Sequence, residues 1–236
     1  MKKIFLLISI SYSFFSLSQN NSQKTPLLGK YGGGVTDVDG NKYNTVILGA
    51  QEWMGENLKV TKFNDGTLIS NVLDPVLWFN DSLKPMLSFY INKKGETEKN
   101  DVLYNWNSIS YLINGNKNIC PVNWHVPSYD EWTILIDYLG GDSLAGVKLK
   151  TNNSNSWSEG VSQRLNTSLF SSIPLGFRFY DGVFMHDGKY AHFWINSEFE
   201  RKNSFAYVVA LLDEIDGVQR FGLKKNTGAS IRCLKD

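Results

Sequence analysis

The residues that could do chemistry are few and scattered: two cysteines, three histidines, short carboxylate runs and an unusual number of aromatic rings. Asp37-Val38-Asp39-Gly40-Asn41 groups oxygen donors as a hard cation prefers. It is shorter than an EF-hand loop and lacks that loop's closing Glu, and a hairpin turn accounts for it. His186 and His192, six residues apart around Asp187-Gly188, can approach each other across a hairpin. A zinc site would need further ligands that the sequence does not single out. His125, between Trp124 and Val126, is expected to support the helix that follows. No Gly-x-Ser-x-Gly elbow and no phosphate-binding Gly-x-x-x-x-Gly-Lys-Ser/Thr loop occurs, and Glu131 is already explained as a helix cap. The sequence therefore points to no catalytic residue, no metal site and no cofactor. The better lead is aromatic: Trp157 in a polar loop, and Tyr180, Phe184 and Tyr190 around the Asp181-Gly182 and Asp187-Gly188 turns. Rings on loops beside Asn and Asp are what sugar or protein recognition uses, and the competing reading is that they cover a sheet edge.

These side chains must be held by a strand-rich scaffold. Val35–Leu48 reads as a hairpin about Asp39-Gly40, Gln51–Met54 as a strand, and 70–100 as irregular. The clearest helix begins after Pro127: Ser128 and Glu131 form a capping box, Trp132, Leu135, Ile136 and Leu139 follow at helical spacing, and Gly140-Gly141 ends it. Tyr190–Ile195, Phe205–Leu212 and Ala229–Leu234 read as strands between regular turns.

The first residues are basic, then apolar from Ile4 to Leu17, with Ser16 and Ser18 placed for cleavage. Residues 1–18 are expected to be a secretory signal peptide and 19–34 a flexible lead-in, leaving one domain over 35–236. The mature chain holds no transmembrane span, so an extracytoplasmic location follows: periplasmic, surface or released. With 24 basic and 23 acidic residues, no general field draws the chain to nucleic acid. In an oxidising compartment Cys120 and Cys233 suit a disulfide; two free buried thiols or a two-ligand metal site are the alternatives.

Four segments resemble the Fibrobacter succinogenes major paralogous domain. They are Asp37–Tyr43, Gln51-Glu52-Trp53-Met54-Gly55-Glu56-Asn57-Leu58, Cys120-Pro121-Val122-Asn123-Trp124-His125-Val126-Pro127-Ser128-Tyr129-Asp130-Glu131-Trp132, and Ile231-Arg232-Cys233-Leu234-Lys235-Asp236. The resemblance implies an α+β, C-type-lectin-like fold, strand-rich with one or two helices, in secreted or surface-attached bacterial proteins. Two segments depart from the family's pattern, Phe193-Trp194-Ile195-Asn196-Ser197-Glu198 and Gly228-Ala229-Ser230-Ile231-Arg232-Cys233, and both read as core exchanges. The calcium-dependent sugar motifs of C-type lectins, Glu-Pro-Asn or Gln-Pro-Asp with a downstream Trp-Asn-Asp, are absent; Trp106-Asn107-Ser108 and Phe79-Asn80-Asp81 are partial echoes. The expected function is a non-enzymatic recognition or structural module of the bacterial envelope, with a glycan or an envelope protein as partner. The alternative is an enzyme of the formylglycine-generating type, which would need a pair of reactive cysteines near the chain's end, or a metal-dependent hydrolase.

Overall fold

A computed structural model describes residues 26–81, 83–92, 94–153, 156–158 and 163–236. The expected signal peptide, 1–18, lies outside the described residues. So does 19–25, the first part of the expected lead-in. The remainder of that lead-in is tied down: Leu28 donates its N–H to Thr167, and Lys30–Tyr31 (β1) pairs with the strand Thr45–Leu48.

The hairpin expected at Asp39-Gly40 forms from Val35–Thr36 (β2) and Lys42–Tyr43 (β3). Both Asp37 oxygens are taken by protein donors, namely the Asp39 and Asn41 amides, the Asn41 side chain and the Tyr43 hydroxyl. A turn accounts for this cluster fully. Thr45–Leu48 (β4) and Gln51–Met54 (β5) follow as antiparallel neighbours.

Residues 70–100, expected to be irregular, are mostly ordered into regular elements. Ser70–Asn71 (β6) leads to Pro75–Asn80 (α1), whose first turn is capped by Asp74 with Pro75 at a favoured early position. Met86–Ile91 (β7) and Thr97–Tyr104 (β8) then pair antiparallel, while β6 lies parallel to β7. The charged start of β8 hides a strand, because Thr97–Asp101 lacks the apolar alternation that usually marks one.

Tyr111–Asn114 (α2) and Trp124–His125 (β9) precede the main helix, Tyr129–Tyr138 (α3). Its capping box is present as read, with Ser128 accepting from the Glu131 amide and Glu131 accepting from the Ser128 amide. Gly140, at φ +98°, turns the chain out of it. Ala145–Leu149 (α4), Phe177–Arg178 (β10) and Phe184–Met185 (β11) come next, followed by the antiparallel sheet of Tyr190–Glu198 (β12), Phe205–Leu212 (β13) and Gln219–Lys224 (β14). The final strand, Leu234–Lys235 (β15), inserts between β5 and β9 and completes a five-stranded sheet in the order β1-β4-β5-β15-β9.

Just before β15 the chain acts as a seam. Gly228 bridges Arg178, Ala229 bridges Tyr104 and Ser230 bridges Phe193, so one short run joins three strand systems. Cys120 and Cys233 form a disulfide beside this seam, with both residues buried. The metal-site and free-thiol alternatives for this pair are thereby closed. Two large apolar clusters flank the seam. One contains the bridge and Trp124; the other is built on Trp53, Trp132, Phe170 and Phe193, whose ring centres lie 4.7–6.0 Å apart. Phe193, Trp194, Ile195, Ala229 and Ile231 are all fully buried, so the exchanged segments sit in the core. The architecture is α+β, with sheet predominating.

Candidate functional site

Two buried arginines frame the most elaborate concave surface. Arg178, on β10, lies between the Trp78 and Phe184 rings, its Cζ 4.4 and 5.2 Å from their centres. It donates to the carbonyls of Gly182, Val72 and Leu73. This pins the loop before α1 to the β10–β11 turn. Burial lowers its pKa from the usual arginine value to about 10. Arg232 is held in the same way between Phe170 and Phe193. It donates to Asn57 Oδ1 and to the carbonyls of Met54 and Phe170 at 2.7–3.1 Å.

Between these anchors runs a groove made of three contiguous hollows. The first, about 560 Å³, is lined by Tyr90, Asn92, Phe184, His186, Asp187 and Lys189, among others. The second, about 250 Å³, shares Tyr90, Asn92 and Asp187 with it and adds Glu98, Asp101 and the Ile173–Leu175 run. The third, about 400 Å³, shares Asp101, Ser156 and Ile173 with the second and extends to Glu56, Asn57, Lys59, Thr151 and Arg232. The β7–β8 hairpin therefore supplies one wall, the β11 turn and the 171–175 segment the other, and the stretch after β5 closes one end.

Its polar groups are constrained. The Tyr90 hydroxyl is held un-ionised, its pKa raised first by burial and then by a hydrogen bond to Asp187. Asp101 is partly buried and makes no hydrogen bond or ion pair among the described residues. Desolvation, with Glu98 nearby, raises its pKa above the ordinary carboxylate value. Asn92 bridges the hairpin by donating to Glu96 and Glu98. The apolar part of the wall is the edge-to-face pair Tyr90–Phe184, with ring centres 5.5 Å apart at 90°. His186, at φ +60°, stacks on Tyr190 at 4.3 Å. Amides, carboxylates and the partly exposed Phe184 ring in an open trough can hydrogen-bond hydroxyls and pack against sugar or peptide backbones.

The four rings singled out in the sequence do not share one surface. Phe184 lines the first hollow, and Tyr190 backs it through His186 while its hydroxyl donates to Glu214. Tyr180 lies apart from the groove, packed on Phe179 and covered by Lys224 Nζ 3.4 Å from its ring centre. Trp157 is a core residue: it is 3% exposed, its Nε1 donates to the Ser172 carbonyl, and Lys150 sits above its ring. Trp157 lines none of the three hollows and its indole N–H is already given to Ser172, so it leaves the candidate set. Tyr90, Asn92, Asp101, Asp187 and Arg232 join it.

The histidines fall into two places. His125 bridges Glu131 at 2.9 Å and Asp236 at 2.6 Å, supporting the helix start as expected. His192 is buried among Phe177, Tyr190 and Phe221, and His186 packs on the same Phe177 and Tyr190 rings, near enough to act on the His192 charge. Among the described residues no group of three or more His, Cys, Asp or Glu is placed to hold a metal ion.

Residues 46–235 match the family model of the Fibrobacter succinogenes major domain, which is most of the chain. The chain belongs to that family. No curated protein and no solved structure matches it. In this Fibrobacter succinogenes major domain the matched region starts within β4 and ends within β15, so it leaves out β1 but takes in the rest of that sheet from Val46 on, the disulfide and the whole groove. Among the described residues no helix is long and apolar enough to cross a membrane.

Proposed function

We propose that this chain is a non-enzymatic recognition module of C-type-lectin-like architecture, working outside the cytoplasm, and that the groove binds an extended glycan. The observation that carries this reading is the continuity of the three hollows: one trough, lined by amides, carboxylates and a tyrosine–phenylalanine wall. The return of β15 to the first sheet, between β5 and β9, supports the lectin-like architecture. The disulfide suits an oxidising compartment and supports the location. Against the formylglycine-generating alternative, Cys233 and Cys120 are both consumed in the bridge and the sequence has no third thiol.

A glycan array with the purified full chain, repeated with Phe184→Ala and Asn92→Ala, tests this. Binding that both substitutions reduce, with the fold intact by circular dichroism, is the expected result. Turnover of a small substrate with silence across the array would refute it.

A further inference from the structure

The third hollow differs in kind from the other two. Arg178 and Arg232 are built alike, each fully buried, stacked between two aromatic rings and hydrogen-bonded to backbone carbonyls, and neither has a carboxylate partner among the described residues. They differ at one nitrogen. All three Arg178 nitrogens have close acceptors, whereas Arg232 Nη2, with two N–H groups, has among the described residues only the Ser171 carbonyl at 3.5 Å. Arg232 also lines a hollow, and Arg178 lines none of the three that form the groove. Beside it stands Lys59, whose ammonium lies 5.5 Å from the Tyr43 ring centre and makes no ion pair among the described residues. Of the two carboxylates in the same lining, Glu56 already accepts from the Asn44 amide and side chain, and Asp101 stands where this hollow joins the second. Asn57, Thr151 and Asn153 complete a hydroxyl- and amide-rich wall.

We infer that this end of the groove takes a carboxylate, so that the glycan bound there carries an acidic sugar whose carboxylate sits between Arg232 and Lys59. Charge-assisted hydrogen bonds to a guanidinium that has lost its water are stronger than neutral ones, and the arginine's planar fork suits a carboxylate. The inference rests on the groove being a glycan site. Asp101 and Asp187, further along, would then accept hydroxyls of neighbouring units.

The probes are oligogalacturonate and the same oligomer fully methyl-esterified, titrated calorimetrically into the full chain. Esterification removes the charge and keeps the sugar. Arg232 is unsuitable for substitution because it is part of the core, so Lys59→Met serves as the variant, with its melting temperature checked alongside. The expected result is an acid form bound about ten-fold or more tighter than the ester, with the difference shrinking in Lys59→Met and at high salt. Equal affinity for acid and ester overturns the carboxylate assignment while leaving glycan recognition standing. Binding of neither by the folded protein overturns both.

Discussion

Reducing the Cys120–Cys233 bridge should cost this domain a large part of its stability, and the size follows from the chain. The two cysteines are 113 residues apart in sequence. Loop-closure entropy for a loop of that length corresponds to about 5 kcal/mol at 25 °C. Typical domains are stable by only about 5–15 kcal/mol. The native contacts around the bridge do not run through its sulfurs: the Cys233 carbonyl accepts from the Met54 amide, and β15 pairs with β5 and β9. The loss should therefore appear mainly through a freer unfolded chain rather than a loosened native one. Urea unfolding followed by tryptophan fluorescence, with and without a phosphine reductant, measures it. We expect the midpoint to fall, the reduced slope to equal or exceed the oxidised one, and the melting temperature to drop by about 10–20 °C. A reduced protein within about 1 kcal/mol of the oxidised one would refute the argument, since the seam would then hold the end of the chain unaided.

The two structural histidines should push stability in opposite directions with pH. Burial opposes protonation of His125, but hydrogen bonds to Asp236 and Glu131 outweigh it and raise its pKa above 6.5. Its stabilisation is complete below pH 6.5 and fades as pH rises through the raised value, so His125→Gln should flatten stability on the alkaline side of 6.5. Burial lowers the His192 pKa from 6.5 to about 3. Below pH 6.5 the unfolded chain takes up a proton that the native ring refuses, at a cost of about 2 kcal/mol by pH 5. His192→Phe, which keeps a ring among Phe177, Tyr190 and Phe221, should weaken that acid dependence in urea melts at pH 5 and 7. Arg232→Met should destabilise by about 3–5 kcal/mol, because it strips donors from the buried Met54 and Phe170 carbonyls. Phe184→Ala and Asn92→Ala should leave the melting temperature within a few degrees while lowering retention on a glycan matrix.

The elements most legible in the sequence were those with local chemistry. Ser128 and Glu131 announce the start of α3, and Asp39-Gly40 announces the first hairpin, because a cap or a turn is specified within four residues. β7 and β8 were hidden, since β8 opens with the charged run Thr97-Glu98-Lys99 and its pairing depends on a partner some ten residues back. Trp157 shows the limit of composition: a polar loop surrounds it in sequence, yet its ring turns into the core beneath Lys150. The groove was the least legible feature, because residues from the 50s, 90s, 150s, 170s, 180s and 230s line it and no short motif links them. Nothing local in the sequence marks Arg178 and Arg232 as an alike pair, because the aromatic rings that hold them come from distant segments.

Amide hydrogen exchange of the full chain, with and without a glycan extract of bacterial envelopes, tests recognition at the groove most directly. Added protection confined to residues 54–59, 90–102, 171–175 and 184–189 is the predicted result. Protection elsewhere, or an exchange pattern unchanged by any envelope glycan, would contradict it.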